Sequence, residues 1–228
     1  MPVRGRTDRA PQPCVLDPRT PTPVDLAPGE RFELHVVLVG RARSFAAYAL
    51  RALSEAAAHG IGPGRGRLAL ETFERLRPDP APWTAPPPLV EVVLETPLRL
   101  VHEGRLVRPE HLSAPVFARA LVRRLILLRA FHGDGLPEVD WSGLARACGL
   151  LRIVEARTGW RELRRHSARQ RREVRMGGVS GRFVPDVAEL PGFADLLAFA
   201  RPLHLGKGTT LGPGRYRVAP RSSGSSGS

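Results

Sequence analysis

The sequence predicts an α+β fold, and three observations carry that prediction. Strand-like alternation and helix-like apolar periodicity follow one another along the chain. From Leu89 onward they read β-α-(α)-β-β-α-β. A loop built on Gly206, Gly208, Gly212 and Gly214 stands between the last helix and the last strand. The pattern over residues 89–220 is the ferredoxin-like one. With 228 residues and 42% hydrophobic content, the chain is long enough for one large domain or two small ones around an ordinary core.

Residues 1–29 are rich in proline and poor in apolar side chains, which predicts an extended arm without a core of its own. "RFELHVVLVG", Arg31 to Gly40, alternates and then runs apolar like a buried strand. "SFAAYALRALSEAAAH" follows, with Phe45, Ala49, Ala52, Leu53 and Ala56 on one helical face and Gly60 placed to end the helix. "LALETFERL", Leu68 to Leu76, reads as a second strand and completes a partial ferredoxin-like domain (βαβ) over 30–77. The proline-rich stretch 78–88 is the expected linker.

The second half opens with "LVEVVLETPLRLV", a strand in which Pro97 forces a break or bulge. "APVFARALVRRLILLRAF" is an amphipathic helix with Phe117, Leu121, Leu125 and Leu128 on one face, and "DWSGLARAC" is a short helical piece. Two strands, near 150–158 and 175–184, flank a very basic segment. A helix from Gly192 to His204, the glycine loop and a strand from Arg215 to Val218 close the domain. The tail 221–228 resembles an expression linker and is set aside.

Charge is the strongest global signal: 35 Lys plus Arg against 22 Asp plus Glu give +13, and Lys207 is the only lysine. Arginine presents a planar fork of donors that matches phosphate oxygens and stacks on bases, so the excess points to nucleic acid. Codon bias explains arginine in place of lysine but not the surplus of cations. Cys14 and Cys148 are too few for a disulfide framework and lack zinc spacing, which fits a reducing cytoplasm. No apolar run reaches the ~18 residues of a membrane span, and the first residues lack the apolar stretch of a secretion signal.

"LHLGKGTTLGPGRYRV" invites a nucleotide phosphate-loop reading and fails it. Arg201 stands where the first glycine is needed, Gly208 follows Lys207 in place of a hydroxyl residue, and a helix precedes the loop where it should follow. The dinucleotide-binding glycine pattern fails as well. What remains is a helix-to-strand loop in which the backbone amides of Gly206, Lys207, Gly208, Thr209, Gly212, Gly214 and Arg215 can face an anion, or whose glycines merely permit a tight turn.

Between Arg161 and Arg175 seven arginines stand against Glu162 and Glu173. Such a run is either a solvated face or an RNA contact. Here Arg164, Arg165, Arg169, Arg171 and Arg172 are interspersed with His166, Ser167 and Gln170, which can donate to phosphate or sugar hydroxyls. His166 and His204 are the histidines nearest the two anion-binding features. They are the candidates for proton transfer, each with an ordinary packing role as the alternative. His35, His59, His102, His111 and His132 have no motif around them, and the tryptophans read as packing anchors.

"CVLDP" at Cys14, "TPLRL" at Thr96, "WRELRRHSARQ" at Trp160, "GGVSGRF" at Gly177 and "HLGKGTTLGPGRY" at His204 occur in an order that resembles the CRISPR repeat-processing endoribonucleases of the RAMP superfamily. The resemblance implies ferredoxin-like RAMP domains in tandem, CRISPR repeat RNA as partner, cleavage without cofactor or metal, and a glycine loop that serves RNA phosphates. For an endoribonuclease whose base or acid has moved into the second domain, the catalytic candidates are His166, Ser167 and His204, with Lys207 or Arg169 stabilising charge. A non-cleaving crRNA-binding subunit, with other CRISPR effector subunits as partners, is the alternative; a general DNA- or RNA-binding module lacks its usual motifs. Two departures stand out. The first domain supplies only its latter βαβ, without the front half where the family keeps its catalytic histidine helix, and His166 stands where tyrosine is expected.

Overall fold

A computed structural model describes residues 10–19, 25–62, 64–76, 83–136, 138–167, 172–190 and 192–221. In chain order the elements are β1 (Cys14–Pro18), β2 (Leu34–Leu38), α1 (Ala46–His59), β3 (Val90–Leu98), the short pair β4 (Val101–His102) and β5 (Arg105–Leu106), and α2 (Ala114–His132). They continue with α3 (Trp141–Leu150), β6 (Arg152–Arg161), β7 (Arg164–Ser167), β8 (Arg172–Arg175), β9 (Gly178–Asp186), α4 (Gly192–Phe199) and β10 (Tyr216–Pro220).

The second half is ferredoxin-like. Its four long strands form one antiparallel sheet in the order β10-β3-β9-β6, in which the first strand lies between the last and the third. Alternation on β3 sends Val90, Val92 and Leu94 to one face, where Phe117 and Leu121 of α2 and Phe193 and Leu197 of α4 cover them. Phe117 meets Phe183 edge-on at 5.0 Å and Tyr216 at 6.1 Å. The Tyr216 hydroxyl donates to the Leu197 carbonyl at 2.8 Å, so the one polar atom of that ring is satisfied within the core. Pro97 does what the sequence predicts: the β3–β9 register shifts between Leu94 and Leu98. The terminal helix stops at Phe199 and continues as a tight turn over Arg201–Leu203, shorter than the expected run to His204.

The first half departs from expectation. The proline-rich arm contains β1, which pairs antiparallel with β2 from Cys14 opposite Leu38 to Pro18 opposite Leu34. No strand forms over Leu68–Leu76; that segment is held by the Leu68 amide on the Ala57 carbonyl and by an Arg31–Glu71 ion pair. The order is therefore β-β-α, where βαβ was expected. α1 buries none of its residues fully, and Phe45, expected on its inner face, is 63% exposed. The first half docks through Val37 and Val39, which pack against the core of the second, and through close backbone approaches. Gly40 approaches the last turn of α2 so closely that an added Cβ would lie 1.8 Å from the His132 carbonyl, and the His132 ring contacts the Pro11 carbonyl at 2.6 Å. Among the described residues no helix is long and apolar enough to cross a membrane.

Candidate nucleic-acid interface

The glycine loop is pinned by hydrogen bonds to the bulge and end of β3. Leu205 donates its amide to Gly214, Lys207 to Arg99, Gly214 to Pro97, and Arg215 to the Thr96 hydroxyl, which itself donates to the Gly212 carbonyl at 2.9 Å. Close approach explains two of the glycines. A Cβ on Gly206 would lie 2.6 Å from the Arg99 carbonyl, and one on Gly214 would lie 1.8 Å from the Leu205 carbonyl, both at positive φ. Gly208 and Gly212 flank a tight turn over Thr209–Leu211 in the left-handed region. The amides of Gly208, Thr209 and Thr210 head that turn, with no backbone acceptor among the described residues. Lys207 and Gly208 are exposed at the crest, whereas Thr209, Gly212 and Gly214 are buried beneath it.

The basic segment folds as a hairpin that prolongs β6 and β9. β7 and β8 pair Arg164 with Arg175, Arg165 with Val174, His166 with Glu173, and Ser167 with Arg172. Arg169, Gln170 and Arg171 lie outside the described residues. At the hairpin base the Met176 amide donates to Leu163. The Trp160 indole donates to Glu162 at 2.6 Å, and the Arg108 guanidinium stacks over the Trp160 ring 4.0 Å from its centroid.

Arg99 joins the two features. Its carbonyl accepts from Lys207 in the loop, while its Nη1 donates to Gly177 at the hairpin base at 2.7 Å. Met176 adds a second contact, since a Cβ on Gly208 would lie 3.2 Å from its methyl group. The loop crest and the root of the arginine hairpin are thus linked through Arg99, and Lys207, Arg108, Arg161 and Arg175 are exposed. On the sheet face away from the helices, register places Arg157, Arg182 and Arg217 in a row across β6, β9 and β10 around Val93. Glu91 and Glu155 partly neutralise that row.

Two expected site residues face inward. His204 is 1% exposed, with its Nε2 3.8 Å from Asp17 Oδ1. Arg215 is engaged by Asp17 and Glu95, each at 2.9 Å, and donates to the Pro18 carbonyl at 2.8 Å, so its guanidinium is turned towards carboxylates and backbone. Sequence reasoning missed Asp17, Thr96, Arg99 and Arg108. The first three stand in "CVLDP" and "TPLRL", segments whose only signal was their place in the family-like order. No cluster of three or more His, Cys, Asp or Glu with metal-holding geometry occurs among the described residues.

The family model for CRISPR-associated endoribonuclease Cas6 matches residues 92–216, more than half of the chain, and a second family model, an N-terminal domain, matches residues 2–98. Among solved structures, one Cas6 product complex is 20% identical, with 93% of this chain and 84% of that one covered and a TM-score of 0.56. A second Cas6 product complex is 18% identical over the same shares at a TM-score of 0.61. Cas6 from Thermus thermophilus is 18% identical over 91% of this chain and 79% of its own at 0.54. At these identities the structural likeness establishes the fold, and comparison with curated proteins gives no match. Taken with the glycine loop and the ferredoxin-like sheet, the family match over the second half shows that the chain belongs to the CRISPR-associated endoribonuclease Cas6 family.

Proposed function

We propose that the chain binds CRISPR repeat RNA across the glycine loop and the β7–β8 hairpin and processes the precursor by endoribonucleolytic cleavage that needs no metal. The observation that carries this reading is Arg99, whose two hydrogen bonds hold the loop crest to the hairpin root. Arg164, Arg165 and Arg172 on β7 and β8, with Arg169, Gln170 and Arg171 between those strands in the sequence, supply phosphate and sugar contacts. Lys207 and the amides at the head of the Thr209–Leu211 turn meet phosphate at the crest.

The chemistry requires a base that removes the 2′-hydroxyl proton. The O2′ then attacks the adjacent phosphorus, the P–O5′ bond breaks, and an acid delivers a proton to O5′. The products are a 2′,3′-cyclic phosphate and a 5′-hydroxyl. Cations beside the phosphorane stabilise its added negative charge. With His204 buried, His166 on β7 is the histidine retained for proton transfer, beside Ser167 and opposite Glu173. Lys207 serves the developing charge.

The test is incubation of the purified chain with RNA of its own repeat in EDTA. The expected result is one cut per repeat with a cyclic phosphate end. A cut that appears only with added metal overturns the metal-free mechanism, and no cut under either condition overturns the nuclease. His166→Ala is expected to lower single-turnover cleavage about a hundredfold while nearly preserving RNA affinity.

A further inference from the structure

Asp17 lies on β1, in the first half, yet its carboxylate is built into the glycine loop of the second. It is 5% exposed, and a buried carboxylate persists only with partners. Arg215 Nη1 donates to Oδ1 at 2.9 Å and Arg19 Nη1 to Oδ2 at 3.1 Å, while His204 Nε2 stands 3.8 Å from Oδ1. Burial works to raise the Asp17 carboxyl, but the His204 ring and the Arg215 guanidinium, with Arg19, outweigh it and hold the group well below the usual carboxylate range.

The position of these partners gives the arrangement its meaning. His204 is the entry residue of the loop, with a positive φ of 53°, and neither ring nitrogen has a hydrogen-bond partner among the described residues. Arg215 is the exit residue, and the same Nη1 that holds Asp17 also donates to the Pro18 carbonyl at 2.8 Å. β1 itself lies against the loop, with the Leu16 carbonyl 3.6 Å from where a Cβ of Gly212 would stand. The carboxylate, on a separate element, is therefore bonded to the exit residue of the loop and stands against its entry residue.

We propose that Asp17 is a positioning residue for RNA recognition: it ties the entry and exit of the glycine loop to β1 and so fixes the crest at Lys207 and Gly208 against the hairpin root. The RNA consequence rests on the function proposed above; the clasp itself does not.

Lys207 is the only lysine in the chain, so a lysine-specific protease reports on the loop crest alone. Asp17→Asn, which keeps the shape of the side chain, and Asp17→Ala are expected to be cut about tenfold faster than the unaltered full chain. The comparison variant is Leu128→Ala, a core truncation on α2, taken at a temperature equally far below its own Tm. A cut rate equal to that of the unaltered chain, or to that of Leu128→Ala at matched stability, overturns the clasp. If Asp17→Ala does not fold, Asp17→Asn decides. With repeat RNA, Asp17→Asn is expected to raise Kd about tenfold with the active fraction unchanged, and Asp17→Asn combined with Arg215→Gln is expected to bind no worse than the weaker single variant. Losses that multiply mean that the two residues act independently and also overturn the proposal. Should the unaltered chain fail to bind repeat RNA, the proposed function falls, while the protease comparison still decides the clasp.

Discussion

α1 and α2 carry the same kind of apolar periodicity and meet opposite fates. α2 buries Ala114, Phe117, Ala118, Leu121 and Leu128 beneath the four-stranded sheet. α1 buries nothing fully, and Tyr48 near its start is 74% exposed. The difference teaches that periodicity names a face but does not supply the layer that covers it. In the second half β3, β9 and β10 provide that layer. In the first half a two-stranded ribbon cannot, and among the described residues before Trp83 only Val15 and Asp17 are buried. The first half has no core of its own; it meets the second through Val37 and Val39 on the main core and through contacts at Gly40, His132 and Asp17.

The comparison can be broken most forcefully at glycine. Gly214→Ala places a Cβ 1.8 Å from the Leu205 carbonyl inside the second half and is expected to cost about 4 kcal/mol or to abolish folding. Gly62→Ala in the first half has a similar positive φ but open space, and about 1 kcal/mol is expected. Urea unfolding of the two variants measures the contrast. Next in size, Phe117→Ala is expected to cost ~3–5 kcal/mol, against within ~0.5 kcal/mol for Tyr48→Ala. Equal losses in that pair would show that α1 has a covered face after all.

The Asp17 clasp sharpens the comparison through pH. Its folded-state pKa is depressed, so the unfolded chain takes up the proton first and stability rises with pH between the lowered folded value and the ordinary ~3.9. The advantage of the unaltered chain over Asp17→Asn should therefore be complete above about pH 5 and shrink as the pH falls below about 4. A difference that is flat down to the acid limit would contradict the clasp. Smallest of all, Glu55→Gln removes the exposed Arg51–Glu55 pair on α1 and is expected to cost no more than ~0.3–0.5 kcal/mol by thermal melting.

The sheet order of the second half was legible because each of its elements is locally consistent: alternation on β3 with a proline at the bulge, a long apolar stripe on α2, and a glycine loop before β10. β1 was not. "CVLDP" sits among prolines, and only its ladder with β2 makes it a strand. Leu68–Leu76 fails in the opposite way, since it alternates well and finds no ladder to join. The site was half legible. The glycine loop and arginine hairpin stand out in composition, but their union through Arg99 spans 78 residues and the Asp17–Arg215 pair spans 198, distances over which a linear pattern carries no information. The burial of His204 was hidden for the same reason: the sequence shows it near Lys207, whereas the carboxylate its ring lies against is on β1.

In the proposed binding mode RNA is held by the second half, on the loop crest and hairpin root, while the first half contributes through Asp17. Amide hydrogen exchange of the full chain with and without its repeat RNA tests this most directly. Protection gained over residues 160–178 and 204–215, with α1 unchanged, is the predicted result. Protection concentrated on α1 and the Leu68–Leu76 segment, with the glycine loop unaffected, would contradict it.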